Sequence, residues 1–100
     1  MSEFKHKYEL GTLFGCFDLL HAGHALLLMD AKAQCNQLIV GLHVDPSDER
    51  PTKNKPIQGL VERYLQLRAT LRPTDVIIPY QTEEDLIEIL KAFRPITRFI

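Results

Sequence analysis

One hundred residues, 45% hydrophobic and 25% charged, are enough for one globular domain with a single core and exclude an intrinsically disordered chain. A formal charge of −1, from 12 Lys and Arg against 13 Asp and Glu, excludes a general nucleic-acid or membrane-surface binder, so any anion site must be local. No apolar run approaches the roughly 20 residues of a membrane span, and the polar start of the chain lacks the apolar core of a signal peptide, which predicts a cytoplasmic protein whose Cys16 and Cys35 stay thiols.

The first predicted element is a buried strand from Leu10 to Phe14, apolar and bounded by Gly11 and Gly15. The run Gly15-Cys16-Phe17-Asp18-Leu19-Leu20-His21-Ala22-Gly23-His24 then leads into a helix predicted over Ala25 to Ala33, with Leu26, Met29 and Ala33 as its apolar face. A strand that runs into a helix aims the helix's unpaired N–H groups at whatever sits above the sheet edge. His21 and His24 lie on one face of the first turn and add ring donors to those amides, and Gly23 puts no side chain in a ligand's way. The set suits a polyphosphate. Two imidazoles without Cys, Asp or Glu at metal spacing are an incomplete ligand set, so no metal site is predicted. Cys16 reads as a small residue filling a tight turn rather than a nucleophile, and Asp18 as a helix cap or an orienting group.

A second strand is predicted from Gln37 to Val44, around Leu38-Ile39-Val40. The polar loop that follows, Asp45 to Pro56, contains Pro46, Pro51 and Pro56. Ligands of open α/β sheets bind outside the carboxyl ends of the strands, which places this loop beside His21 and His24, with Arg50, Lys53 and Lys55 poised to close over an anion. His43 ends the strand in the same region. Helical spacing of Leu60, Tyr64, Leu67 and Leu71 predicts a helix over Gln58 to Leu71, and its Arg63 reads as solvated or paired with Glu62 or Asp75. A third strand runs from Asp75 to Tyr80. Thr82 then caps a third helix with the stripe Leu86, Ile89, Leu90 and Phe93, ended by Arg94-Pro95, and a fourth strand begins near Ile96 and reaches Ile100. The alternation predicts an α/β, Rossmann-like three-layer fold: a parallel sheet with right-handed crossovers and helices on both faces.

GCFDLLHAGH, with a strand before it and a helix after it, resembles the signature of the HxGH nucleotidyltransferases, and its Gly-x-Phe-Asp is most similar to the cytidylyltransferase branch, including the glycerol-3-phosphate cytidylyltransferases. The likeness continues through Leu38-Ile39-Val40-Gly41, through Lys53 and Lys55, and through Glu62-Arg63. It implies transfer of a nucleotidyl group, CMP first, from CTP or ATP to a small phosphorylated alcohol such as glycerol 3-phosphate or to a phosphorylated sugar, with release of pyrophosphate. Mg²⁺ is implied as the partner of the triphosphate. In catalysis, by the same resemblance, His21 and His24 donate to the triphosphate, Lys55 bridges the attacking and α-phosphates, and Arg63 holds the acceptor's phosphate. Gly15, Cys16, Phe17, Asp18, Gly23 and Lys53 are implied to line the nucleotide site. A homodimer is implied too, with no nucleic-acid or membrane partner. Two other readings stand beside this one. The Leu-His-Ala-Gly-His spelling with Cys16 also resembles sugar-phosphate adenylyltransferases, and a nucleotide-binding module without turnover would need the same motif. Residues 1–100 are expected to form a single domain that is incomplete at its C-terminus, because the resembling enzymes continue with a further strand and a triphosphate-binding helix N-terminus.

Overall fold

Inward residues alternate along the central strand and set the layers. In β2 (Cys35–His43), Leu38, Val40 and Leu42 face one side and Ile39 the other, all no more than 1% exposed, as a strand covered on both faces requires. The computed structural model, which describes residues 8–48, 51–52, 54–94 and 97–99, places β2 between β1 (Tyr8–Gly15) and β3 (Val76–Tyr80). Strand β4 (Thr97–Phe99) pairs with the far side of β1, giving the order β3-β2-β1-β4 with every pairing parallel.

Helix α1 (Ala22–Gln34) joins β1 to β2, α2 (Leu60–Thr70) joins β2 to β3, and α3 (Glu83–Phe93) carries the chain back from β3 to β4. The first two crossovers step the same way along the sheet and the third reverses, so right-handed connections put α1 and α2 on one face and α3 on the other. The side chains agree. Leu28 and Ala31 of α1 and Leu67 of α2 pack with Leu13, Leu38, Val40 and Leu42, whereas Leu86 and Ile89 of α3 pack with Ile39 and Tyr80. The predicted three-layer α/β fold is the observed one. Close approach of strand and ring fixes Gly41, where a Cβ would lie 2.2 Å from the Phe14 ring, which itself meets Tyr80 edge-on at 5.5 Å.

The helix faces differ from expectation in three places. Helix α1 starts at Ala22 rather than Ala25 and buries Leu28 and Ala31, while Leu26 is 66% and Met29 61% exposed and Ala33 is exposed as well. The run Leu26-Leu27-Leu28-Met29 is apolar around most of the helix, so spacing alone cannot choose the buried stripe. On α2, Tyr64 stays outside and Arg63 takes the inward position between Leu60 and Leu67. At the end of α3, Phe93 is 38% exposed, and Arg94 closes the helix in the left-handed region with its N–H on the Leu90 carbonyl. The outer residues expected for the fourth strand, Ile96 and Ile100, lie outside the described residues.

Asp75 is not a partner of Arg63. It is buried at the amino end of β3, where its carboxylate accepts the Leu38 and Arg72 amides and pairs with the Arg72 guanidinium at 3.1 Å. Arg72 also reaches the Lys32 and Cys35 carbonyls, tying α1, β2 and the turn before β3 together at the end of the sheet opposite the motif.

Candidate active site

The chain leaves the carboxyl end of β1 beside β4, where the direction of the crossovers reverses and open α/β sheets bind their ligands. The turn there is strained. Phe17 and Leu19, neither of them glycine, have φ of 51° and 49°, a conformation that costs on the order of 1–3 kcal/mol per residue unless its surroundings hold it. The Phe17 ring is buried in the core under His24 at 5.7 Å, and Gly15 leaves it room, since a Cβ there would come within 3.1 Å of the ring. Between the two strained residues, Asp18 accepts the amides of Ile57 and Gln58, both at 2.9 Å, and the Leu19 amide donates to Gln58 Oε1 at 2.7 Å. Those two amide donors hold the Asp18 carboxyl below the usual carboxylate range. Asp18 is thus a tie between two loops, and both of its oxygens are in use.

His21 is the N-cap of α1 and His24 its third residue, and the two side chains form a capping box made of imidazoles. His21 Nδ1 accepts the Gly23 amide at 3.0 Å, and His24 Nδ1 accepts the His21 amide at 3.3 Å. A backbone N–H can only donate, so each Nδ1 carries no proton and each neutral ring holds its proton on Nε2. The rings stack at 3.9 Å and 24° at the helix N-terminus. Gly23 has a second use beyond ligand access: a Cβ there would meet the His21 ring at 2.9 Å.

Burial, and then the neighbouring His21, push the His24 pKa below its ordinary 6.5, with Asp18 opposing. Folded His24 therefore takes up its proton at lower pH than the unfolded chain does. Its contribution to stability is complete above about pH 6.5 and is lost as pH falls through the folded value. The urea midpoint is expected to fall between about pH 7.5 and 5.5, with a shallower fall in His24→Ala. Asp18 titrates in a separate window, since a depressed carboxylate loses its contribution only below about pH 4.

Arg63 is 2% exposed and makes no ion pair with Glu62 or Asp75 among the described residues. Its Nε donates to the Gln58 carbonyl, one terminal nitrogen to the Cys16 and His43 carbonyls at 3.2 and 2.6 Å, and the other to the Val44 carbonyl at 2.6 Å. The solvated and ion-paired readings are both corrected by this geometry. Four of the five Arg63 N–H donors are on these carbonyls, which favours a structural role over the grip on an acceptor phosphate that the resemblance implies. The guanidinium joins the ends of β1 and β2 to the start of α2.

Cys16 gives its carbonyl to Arg63, and desolvation raises its thiol above the ordinary range, which suits a filler and not a nucleophile. Lys55 is exposed, and its charge helps hold the Asp45 carboxyl down, although the Ser47 hydroxyl has the larger effect. Lys53 and Arg50 lie outside the described residues. His43 stacks on Tyr80 at 4.6 Å with Nε2 against the Gln81 carbonyl. Sequence reading missed Gln58, which carries no motif and whose partners in the turn stand 39 and 40 residues away. Among the described residues no group of three or more His, Cys, Asp or Glu could hold a metal ion.

A family model described as cytidylyltransferase-like matches residues 12–99, from the middle of β1 to the end of β4. This chain belongs to the cytidylyltransferase-like family. The matched span includes His21, His24, Asp18 and Arg63. Curated relatives include Bifunctional protein HldE of Caulobacter vibrioides, 43% identical over 90 residues that cover 87% of this chain and 18% of the relative. The protein of the same name from Acidiphilium cryptum is 38% identical over 89 residues (88% and 18%), and that from Granulibacter bethesdensis 41% over 89 residues (86% and 18%). The cytidylyltransferase-like chain thus spans 18% of the length of these relatives. Among the described residues, no helix is long and apolar enough to cross a membrane.

Proposed function

We infer that this domain catalyses nucleotidyl transfer: a phosphate oxygen of a small phosphorylated acceptor attacks the α-phosphorus of a nucleoside triphosphate, and the bond to the pyrophosphate leaving group breaks. The observation that carries the reading is the imidazole capping box, which fixes both rings as Nε2–H donors at a helix N-terminus. Such chemistry needs positioning and neutralisation of the charge that builds on the transferring and departing oxygens. His21 and His24 supply hydrogen bonds to the β- and γ-phosphates. Lys55, exposed on the segment that Gln58 ties to the motif turn, supplies a positive charge between attacking and α-phosphates. Magnesium, bound with the triphosphate, supplies further charge neutralisation.

The family description favours CTP as donor, and the likeness of Gly-x-Phe-Asp to the glycerol-3-phosphate cytidylyltransferases favours an acceptor such as glycerol 3-phosphate. A second reading, adenylyl transfer from ATP to a sugar phosphate, is favoured by Cys16 and the Leu-His-Ala-Gly-His spelling and by relatives whose shared name is not that of a cytidylyltransferase. Pyrophosphate release with CTP and ATP, each crossed with glycerol 3-phosphate and a panel of sugar phosphates, tests both. One pair is expected to turn over well above the rest. Saturable nucleotide binding with no pyrophosphate from any pair would replace the transferase with a binding module.

A further inference from the structure

We propose that Gln58 is a positioning residue, clasping the strained motif turn to the segment that carries Lys55 and so setting the distance between the lysine and the imidazole pair. The proposal rests on the nucleotidyl-transfer reading for its kinetic consequence, while the clasp itself stands on geometry.

Two independent observations meet here. First, the turn holds two non-glycine residues in the left-handed region, Phe17 and Leu19, separated only by Asp18. A turn of that kind relaxes unless something outside it takes up its polar groups. Second, the outside partner is a single short segment 39 to 40 residues away. Gln58 uses two of its groups on the turn, Oε1 accepting the Leu19 amide and its own amide donating to Asp18, while its carbonyl accepts Arg63 Nε from α2. Ile57 adds a second amide to Asp18. The main-chain bonds survive any substitution at position 58, but the Leu19 bond depends on the side chain alone.

The consequence for Lys55 follows from chain length. Lys55 stands three positions before Gln58, and a chain extends at most about 3.3–3.6 Å per residue, so anchoring Gln58 confines the lysine to a limited volume beside the turn. Without the side-chain bond, Leu19 is free to leave its strained conformation, and the span from Lys55 to His21 and His24 is held by the two Asp18 bonds alone. Misplacement of a reacting group by about an ångström costs up to 10²-fold in rate.

Two variants separate the clasp from simple folding. Gln58→Met keeps the length of the side chain and removes the acceptor. Gln58→Glu keeps an oxygen for the Leu19 amide, with Arg63 close by to offset its charge. Hydrogen exchange at the Leu19 amide is read by NMR on the ligand-free protein, and kcat and KM are read from pyrophosphate release with the best substrate pair. In Gln58→Met the Leu19 amide is expected to lose its protection while the core amides of β2 keep theirs. Its kcat is expected to fall about tenfold to a hundredfold, with the nucleotide KM within about threefold of wild type. Gln58→Glu is expected to restore both protection and kcat. Unchanged Leu19 protection in Gln58→Met overturns the clasp. Lost protection with wild-type kcat overturns its role in positioning. If wild-type protein releases no pyrophosphate, the functional reading fails while the exchange experiment still decides the clasp.

Discussion

Replacing His24 with alanine is expected to lower pyrophosphate release on the order of 10²-fold to 10³-fold and to cost the fold about 1 kcal/mol. The two effects have different atoms as their source. The Nδ1 atom of His24 accepts the His21 amide and completes the capping box, so its loss weakens the start of α1. The Nε2–H donor makes no contribution to the cap and is the group that the nucleotidyl-transfer reading assigns to the triphosphate. Its loss removes a hydrogen bond to charge that builds as pyrophosphate departs, in a site where donors are already oriented and need no reorganisation. A glutamate at position 24 separates the two. Its carboxylate accepts the His21 amide and interacts favourably with the helix N-terminus, so His24→Glu is expected to melt at or above the wild-type temperature. It offers no donor and sets a negative charge against the phosphates, so its turnover is expected to be as low as that of His24→Ala. Turnover within threefold of wild type in either variant would remove the imidazole from the mechanism.

The Arg63→Ala protein is expected to lose about 3–5 kcal/mol of stability, enough to unfold a domain of this size at physiological temperature. Truncation strands the carbonyls of Cys16, His43, Val44 and Gln58, which the guanidinium now satisfies. Each buried acceptor left without a donor costs about 1–3 kcal/mol, and water entering the vacated space recovers part of the sum. Lysine cannot span the same fork: one ammonium reaches fewer carbonyls than three guanidinium nitrogens set in a plane, so Arg63→Lys is expected to fall between wild type and alanine. Urea denaturation measures the loss, and steady-state kinetics on Arg63→Lys measure the role. A strut changes stability and kcat, whereas a phosphate ligand changes the acceptor KM and leaves stability alone. A folded Arg63→Ala protein of wild-type stability with a raised acceptor KM would return Arg63 to the phosphate role that the family likeness implies.

Arg63 and Asp18 also show why motif reading and structure part company here. Both stand inside or beside the signature, and the family resemblance implies a ligand-binding role for each. In the folded chain their polar atoms are spent on backbone: Asp18 on the amides of Ile57 and Gln58, Arg63 on four carbonyls. The imidazoles differ because each has two nitrogens and the cap uses only one.

Local chemistry sufficed for much of this protein. The β-branched run around Leu38-Ile39-Val40 marks a buried strand whatever its partners, the alternation of such runs with helical spacing points to a parallel sheet with helices on both faces, and a His-x-Gly-His at a strand-to-helix junction marks the family. The tertiary structure alone decided which stripe of α1 is buried, because Leu26 to Met29 is apolar in every direction and only the sheet beneath breaks the tie. It alone turned Arg63 inward and joined Asp18 to Gln58, since these depend on groups 19 to 47 residues apart whose meeting is fixed by the crossover of one strand past another. Periodicity reports the neighbours a residue has along its own element, and the partners that settle a polar side chain's role come from other elements.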